Sequence, residues 1–209
     1  MKKIITMLLA AVLLMTCAAC LAPAPDSGQD KPSPQVSHSD IDIPQNEDDV
    51  QLDFLPLSFY FSSGAGGWGT ELHMAPDGSF TGYFHDSEMG ITGEGYPDGT
   101  LYLCHFTGSF ENITKVDEYT YSMTLGEVDL RDEDGREWIE NDVRYIATTP
   151  YGLDGGSEFL LYLPQTPTDG LPEDFMMWWP HRFDEQCPDT LSYYAIRNMG
   201  TDDGFFALA

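Results

Sequence analysis

The run from Phe59 to Asp86 constrains the fold more than any other stretch. In it Trp68, Thr70, Leu72 and Met74 share one parity, and Gly69, Glu71 and His73 share the other. That is the period of a β-strand with one buried face. Gly64, Gly66 and Gly67 stand before the strand and supply the backbone angles of a sharp corner. Pro76-Asp77-Gly78 follows it; proline presets one turn angle and glycine accepts a positive one. Phe80, Gly82 and Phe84 then resume the inner face. The stretch predicts three strands on two tight turns, the first corner of a barrel or strongly bent sheet.

The same period recurs downstream. Residues 117–127 set Tyr119, Tyr121, Met123 and Leu125 against Thr120, Ser122 and Thr124. Residues 100–110 set Tyr102, Cys104 and Phe106 against Leu101, Leu103 and His105. Further strands are expected at 58–62, 143–149, 158–163, 191–199 and 205–208. Turn signals separate them at Pro97-Asp98-Gly99, Asp132-Glu133-Asp134-Gly135, Gly152 to Gly156 and Gly200 to Gly204. Pro172 to Trp179 predicts a short helix, stopped by Pro180. Short strands at such spacing predict a mainly β fold, an antiparallel meander with one short helix near the C-terminus.

Gly66-Gly67-Trp68 ahead of a strand resembles the Gly-x-Trp signature of lipocalin and related calycin barrels. The resemblance implies a lipocalin-like barrel, with the strongly bent sheet as the alternative. It also implies that Trp68 closes one end of the barrel and packs on Arg197 near the last strands.

The N-terminus carries a different signal. Met1-Lys2-Lys3 precedes a mainly apolar run from Ile4 to Thr16, the length of a signal-peptide core and too short to span a bilayer. Cys17-Ala18-Ala19-Cys20 follows and resembles the lipobox of bacterial lipoproteins, although Cys17 stands where leucine is usual. The resemblance implies a signal peptide at 1–19, cleavage before Cys20 and acylation of that residue. The protein is then expected on the extracytoplasmic face of the cell membrane, held by its lipid anchor. An ordinary secretory signal cut near Ala19 or Ala22 is the alternative. Residues 20–50, rich in proline, serine and aspartate, read as anchor and disordered tether, and 51–209 as the β domain. His38 falls in the tether and reads as a solvated residue.

Charge narrows the partners. Nine basic residues against 35 acidic ones give a formal charge of −26, which repels nucleic-acid phosphates and anionic headgroups. Nucleic acid is therefore excluded as a partner.

Candidate chemistry is sparse. The Gly64–Gly67 run lacks the Lys-Ser/Thr of a phosphate loop and opens no helix. Asp132 to Gly135 fails the calcium-loop pattern, because Leu130 and Asn141 would stand at its first and last ligand positions. His73, His85 and His105, with Glu71, lie on three predicted strands without metal-motif spacing and read as half-exposed strand residues; the competing reading converges them inside a barrel. Ser62-Ser63 lacks a nucleophile elbow. Neither a catalytic residue, a metal nor a cofactor is implied. Cys104 and Cys187 admit one disulfide or two separate thiols. Trp178 and Trp179, with Phe175, read either as core capping the barrel or as a ligand-contact platform.

The functional expectation is a non-catalytic binding module for a small apolar or cell-envelope ligand, inside the barrel or at its mouth. A structural or protein-interaction lipoprotein is the alternative, and an envelope hydrolase the third. A filled interior favours the interaction protein, and a wet cleft with converging histidines and carboxylates favours the hydrolase.

Overall fold

The computed structural model describes residues 52–180 and 187–207; the expected signal peptide, Cys20, the expected tether and His38 fall outside the described residues. Ten strands form one sheet: β1 (Leu57–Ser62), β2 (Trp68–Met74), β3 (Ser79–Glu88), β4 (Thr100–Lys115), β5 (Thr120–Leu130), β6 (Glu137–Glu140), β7 (Val143–Ala147), β8 (Glu158–Tyr162), β9 (Ala195–Asn198) and β10 (Gly204–Phe206). One short helix, α1 (Glu173–Met176), precedes β9.

Eight of the strands close an antiparallel barrel in the order β1-β2-β3-β4-β5-β8-β9-β10 and back to β1. Apart from the β6–β7 hairpin, which is set aside, each barrel strand pairs with the next in the chain. The hairpin extends the sheet beside the start of β4, with β7 parallel to Thr100 to Leu103, which β5 does not reach. Closure removes the sheet edges that an open meander would leave, and among the described strands β6 ends the sheet with a free side.

Strand parity decides what fills the barrel. Phe59, Phe61, Leu72, Met74, Phe80, Phe84, Cys104, Phe106, Phe110, Met123, Phe159, Leu161, Ile196 and Phe205 all point inward into one buried cluster. Two glycines make room for the rings. Gly82 lies opposite Phe106 and Gly108 opposite Phe80 across the β3–β4 pair. A Cβ on Gly82 would stand 2.2 Å from Cζ of Phe106, and one on Gly108 would stand 2.6 Å from Cζ of Phe80. Each ring thus lies over the glycine facing it, covering backbone that a glycine leaves bare.

Both ends are plugged. At the end where the described chain begins, Leu52 and Leu55 are buried, and Phe54 stacks on Tyr194 with ring centres 4.8 Å apart. At the opposite end Leu153, carried by the loop that follows β7, is buried. Asn198, wholly buried, holds this loop: its Nδ2 donates to the carbonyls of Gly152 (3.1 Å) and Asp154 (2.7 Å), and its Oδ1 accepts from the Gly200 N–H. Thr70 Oγ1 donates to the Tyr151 carbonyl at 2.7 Å. The barrel is a packed core, closed above and below by side chains.

A second apolar cluster lies on the outer face of β8, β9 and β10, where Tyr162, Ala195 and Phe206 take the opposite parity to Leu161, Ile196 and Phe205. Phe175 of α1 stacks on Phe206 at 5.3 Å, and Trp179 is buried beside it.

Several boundaries differ from the sequence expectation. β5 runs on to Leu130 through a bulge: Phe110 faces Leu125 but Gly108 faces Val128, so two residues of β5 oppose one of β4. The bulge shifts parity, and Val128 and Leu130 pack against the core although simple alternation from Tyr119 turns them out. A second bulge in β4 lies at Asn112, whose φ is 52°. β6 was not expected; Glu137, Ile139 and Glu140 are exposed, so no buried face marks it. It joins β7 through Asn141-Asp142, both at positive φ (50° and 64°), the two-residue turn whose twist suits a hairpin.

Candidate functional site

A groove with the form of a binding site lies at the barrel end opposite Leu52. There the β1–β2 corner, the β9–β10 turn and the end of α1 meet around a groove of about 500 Å³. Trp68 and Trp178 line it, with ring centres 6.0 Å apart and planes at 76°, so the two indoles form a corner. Phe61 lies under both, 5.1 Å from Trp68 and 4.6 Å from Trp178. Asp174 and Met177 come from the helical segment, and Thr201 and Asp203 from the turn; Ser63 completes the rim.

Local sequence explains each placement. Trp68 is the first inward residue of β2, so its ring caps the core while its outer part meets the groove. Pro180 ends the helical turn that carries Met177 and Trp178, and the Phe175 anchor fixes the rotation of that turn. Asp202, at φ 63°, reverses the β9–β10 turn. Asp203 is thereby carried to the groove with only 7% of its surface exposed.

The site is acceptor-rich. Asp203 Oδ2 accepts from the Thr201 hydroxyl at 2.7 Å. Burial pushes the Asp203 carboxyl above its ordinary value, as do the neighbouring Asp154 and Asp202; the Thr201 hydrogen bond works against the rise. Tyr151, whose carbonyl faces β2, has its phenol raised by burial and by the same pair of Asp203 and Asp154. Arg197 is committed elsewhere: its Nη2 lies 2.5 Å and its Nε 2.7 Å from Oδ1 of Asp202, and it also reaches the Tyr162 hydroxyl.

That last placement corrects one expectation. Trp68 does sit at a barrel end, but Arg197 does not pack on it. Arg197 shares the outward parity of Ala195, whereas Trp68 belongs to the inward set. Among the described residues the cations seated over rings are Lys115 on Tyr121, Arg136 on Trp138 and Arg144 on Tyr96.

Cys104 and Cys187 are not bridged. Cys104 points into the core and Cys187 is exposed, and both are free. Burial and the nearby Asp134 and Asp132 push the Cys104 thiol up to about 11.

The three histidines do not converge inside the barrel, because their parity is outward. Tyr83 lies between two of them, 4.7 Å from His105 and 5.7 Å from His85. His73 bonds Ser58 Oγ through Nδ1 (2.7 Å) and approaches Glu71 through Nε2 (3.3 Å). Among the described residues no group of three or more His, Cys, Asp or Glu side chains is placed to hold a metal.

Of the tryptophan pair, Trp179 is core and Trp178 reaches the groove. Sequence reading missed Thr201, Asp203, Asp174 and Met177. The Thr-Asp-Asp run between two glycines read only as a turn; closing the barrel is what carries it to the same end as Trp68.

No protein-family model, no curated protein and no solved structure matches this chain.

Proposed function

We propose that this chain is an exported lipoprotein, anchored through Cys20 to the extracytoplasmic face of a bacterial membrane, whose barrel is a non-catalytic binding module. The ligand, a small or cell-envelope molecule, sits in the Trp68–Trp178 groove at the barrel mouth. One observation carries this reading: two half-buried indoles meet at a corner with polar groups placed around them, while the barrel interior is occupied by its own phenylalanines. The usual small-molecule site has this composition, apolar walls with a few oriented polar groups. The packed interior weighs against a ligand inside the barrel and, as expected of a filled barrel, favours an interaction protein; the groove is what supports the binding reading. Native mass spectrometry of full-length protein extracted from membranes tests the proposal: a small molecule retained by the wild type and lost from Trp178→Ala supports it. Equal retention by both refutes the groove as its seat. For the anchor, Cys20→Ala is expected to move the protein from the membrane fraction to the soluble one.

A specific observation favours a second reading, a surface-interaction protein. β6 has one unpaired side and presents Ile139 at 51% exposure, beside Trp138 stacked on Tyr145 at 5.3 Å. A free edge of this kind accepts an added strand from a partner.

A further inference from the structure

We infer that the Trp68–Trp178 groove recognises an alkylammonium group. The inference rests on the groove being the binding site and names the class of ligand it takes. The side chains around the groove decide between chemistries. Trp68 and Trp178 offer two indole surfaces at near right angles, and a ring quadrupole attracts a cation within about 6 Å of its centre. Asp174 and Asp203 supply two carboxylates to the same space, and Met177 a polarisable thioether. Thr201 and Ser63 contribute hydroxyls, but Thr201 already donates its proton to Asp203. A neutral sugar needs several donors as well as acceptors around its hydroxyls, and beyond its indole N–H groups and hydroxyls this groove carries no donor side chain. An anion meets two carboxylates and a chain of −26. A cation with apolar flanks satisfies both halves of the site: its charge meets Asp203 and Asp174, and its methyl or methylene groups meet the indoles.

Electrostatics beyond the first contacts point the same way. Asp154 and Asp202 lie close enough to Asp203 to disfavour its ionised form, and Arg197 is held by Asp202. An incoming ammonium relieves that repulsion, which a neutral ligand does not. The net charge of the chain adds a long-range attraction that salt screens.

The experiment uses full-length protein in detergent and follows tryptophan fluorescence, since two of the four tryptophans line the groove. Choline, a primary alkylamine and N-acetyl-lysine methylamide are titrated beside choline's uncharged carbon isostere and a methyl glycoside. The first and third ligands separate a small-molecule source from a polypeptide one. At least one cation is expected to saturate the signal, and the isostere to bind about tenfold or more weakly. Asp203→Asn and Trp178→Ala are each expected to weaken the cation by about tenfold. Asp174→Asn, at an exposed position, is expected to weaken it severalfold without moving the thermal midpoint, so the test survives if Trp178→Ala fails to fold. An isostere or glycoside that binds as well as the cation, and is lost in Trp178→Ala, overturns the ammonium inference and leaves the groove reading standing. Cation binding unaffected by all three substitutions overturns both.

Discussion

The pairing of Phe80 with Gly108 gives a double substitution whose outcome is set by one contact. A Cβ on Gly108 would lie 2.6 Å from Cζ and 2.9 Å from Cε2 of Phe80, and 3.0 Å from the Glu127 carbonyl oxygen. The glycine has no positive φ to protect, so its replacement by alanine is governed by space. Overpacking a core costs about 1–3 kcal/mol. The alanine lowers unfolded-chain entropy, which returns about 0.4–1 kcal/mol. Gly108→Ala is therefore expected to lose about 1–2 kcal/mol. Phe80 is buried, and Phe80→Leu, which removes part of the ring, is expected to lose roughly half of the ~3–5 kcal/mol of a full truncation to alanine. In the double variant the new methyl enters space that the ring vacated. The summed single losses should then exceed the double loss by about 1 kcal/mol. Urea unfolding of the full chain, read by fluorescence, measures all three. Losses that add within about 0.5 kcal/mol would mean that the ring does not rest on the glycine.

Other perturbations follow from single groups. Asp203 has a folded pKa above its ordinary 3.8, so the folded state binds the extra proton; the stabilisation this one group gives is fully present below that value and is lost as pH rises through the raised one. Asp203→Asn should flatten the fall in thermal midpoint just above pH 3.8, and an unchanged slope would contradict the assignment. Cys187 should react with a thiol reagent in seconds to minutes, while Cys104, buried and raised to about 11, should need unfolding; peptide mass spectrometry of the labelled protein distinguishes them. Asn198→Ala strips two donors from the Gly152 and Asp154 carbonyls and should cost about 2–4 kcal/mol, with faster proteolysis at 151–156. Asp142→Gly, at φ 64°, should stabilise the β6–β7 hairpin by about 0.5 kcal/mol in urea unfolding.

Alternation made the barrel legible before its coordinates. Trp68 to Met74 and Tyr121 to Leu125 face as their parity requires, because a sheet with one buried face leaves period two as its record; Tyr119 lies outside the strand and the core. The record fails where a bulge resets it, and Val128 and Leu130 were hidden for that reason. It fails too at β6, where exposure on both faces leaves nothing to alternate. The groove was half legible. Trp68 and Trp178 stood out as aromatic residues beside glycine and proline, but Asp203 and Asp174 are ordinary turn and helix-start residues until three distant segments are brought together. Arg197 was misassigned because chain position near the last strands carries no information about face; Ala195 and Ile196 beside it settle that.

The closed ends give the molecule a direction. Leu52 to Leu55 plug one end, where β1 begins at Leu57 opposite Met74 and where Ala207 bonds the Tyr194 carbonyl. Trp68, Thr201, Asp203 and the Asn198-held loop lie at the other, where β1 ends at Ser62 opposite Gly69. The described chain therefore begins at the end remote from the groove. A packed barrel suits a groove at its end. Its phenylalanine core holds the two indoles through Phe61, with 76° between their planes. A corner already formed has less to lose on binding, since the side chains that make it are ordered by the core beneath them.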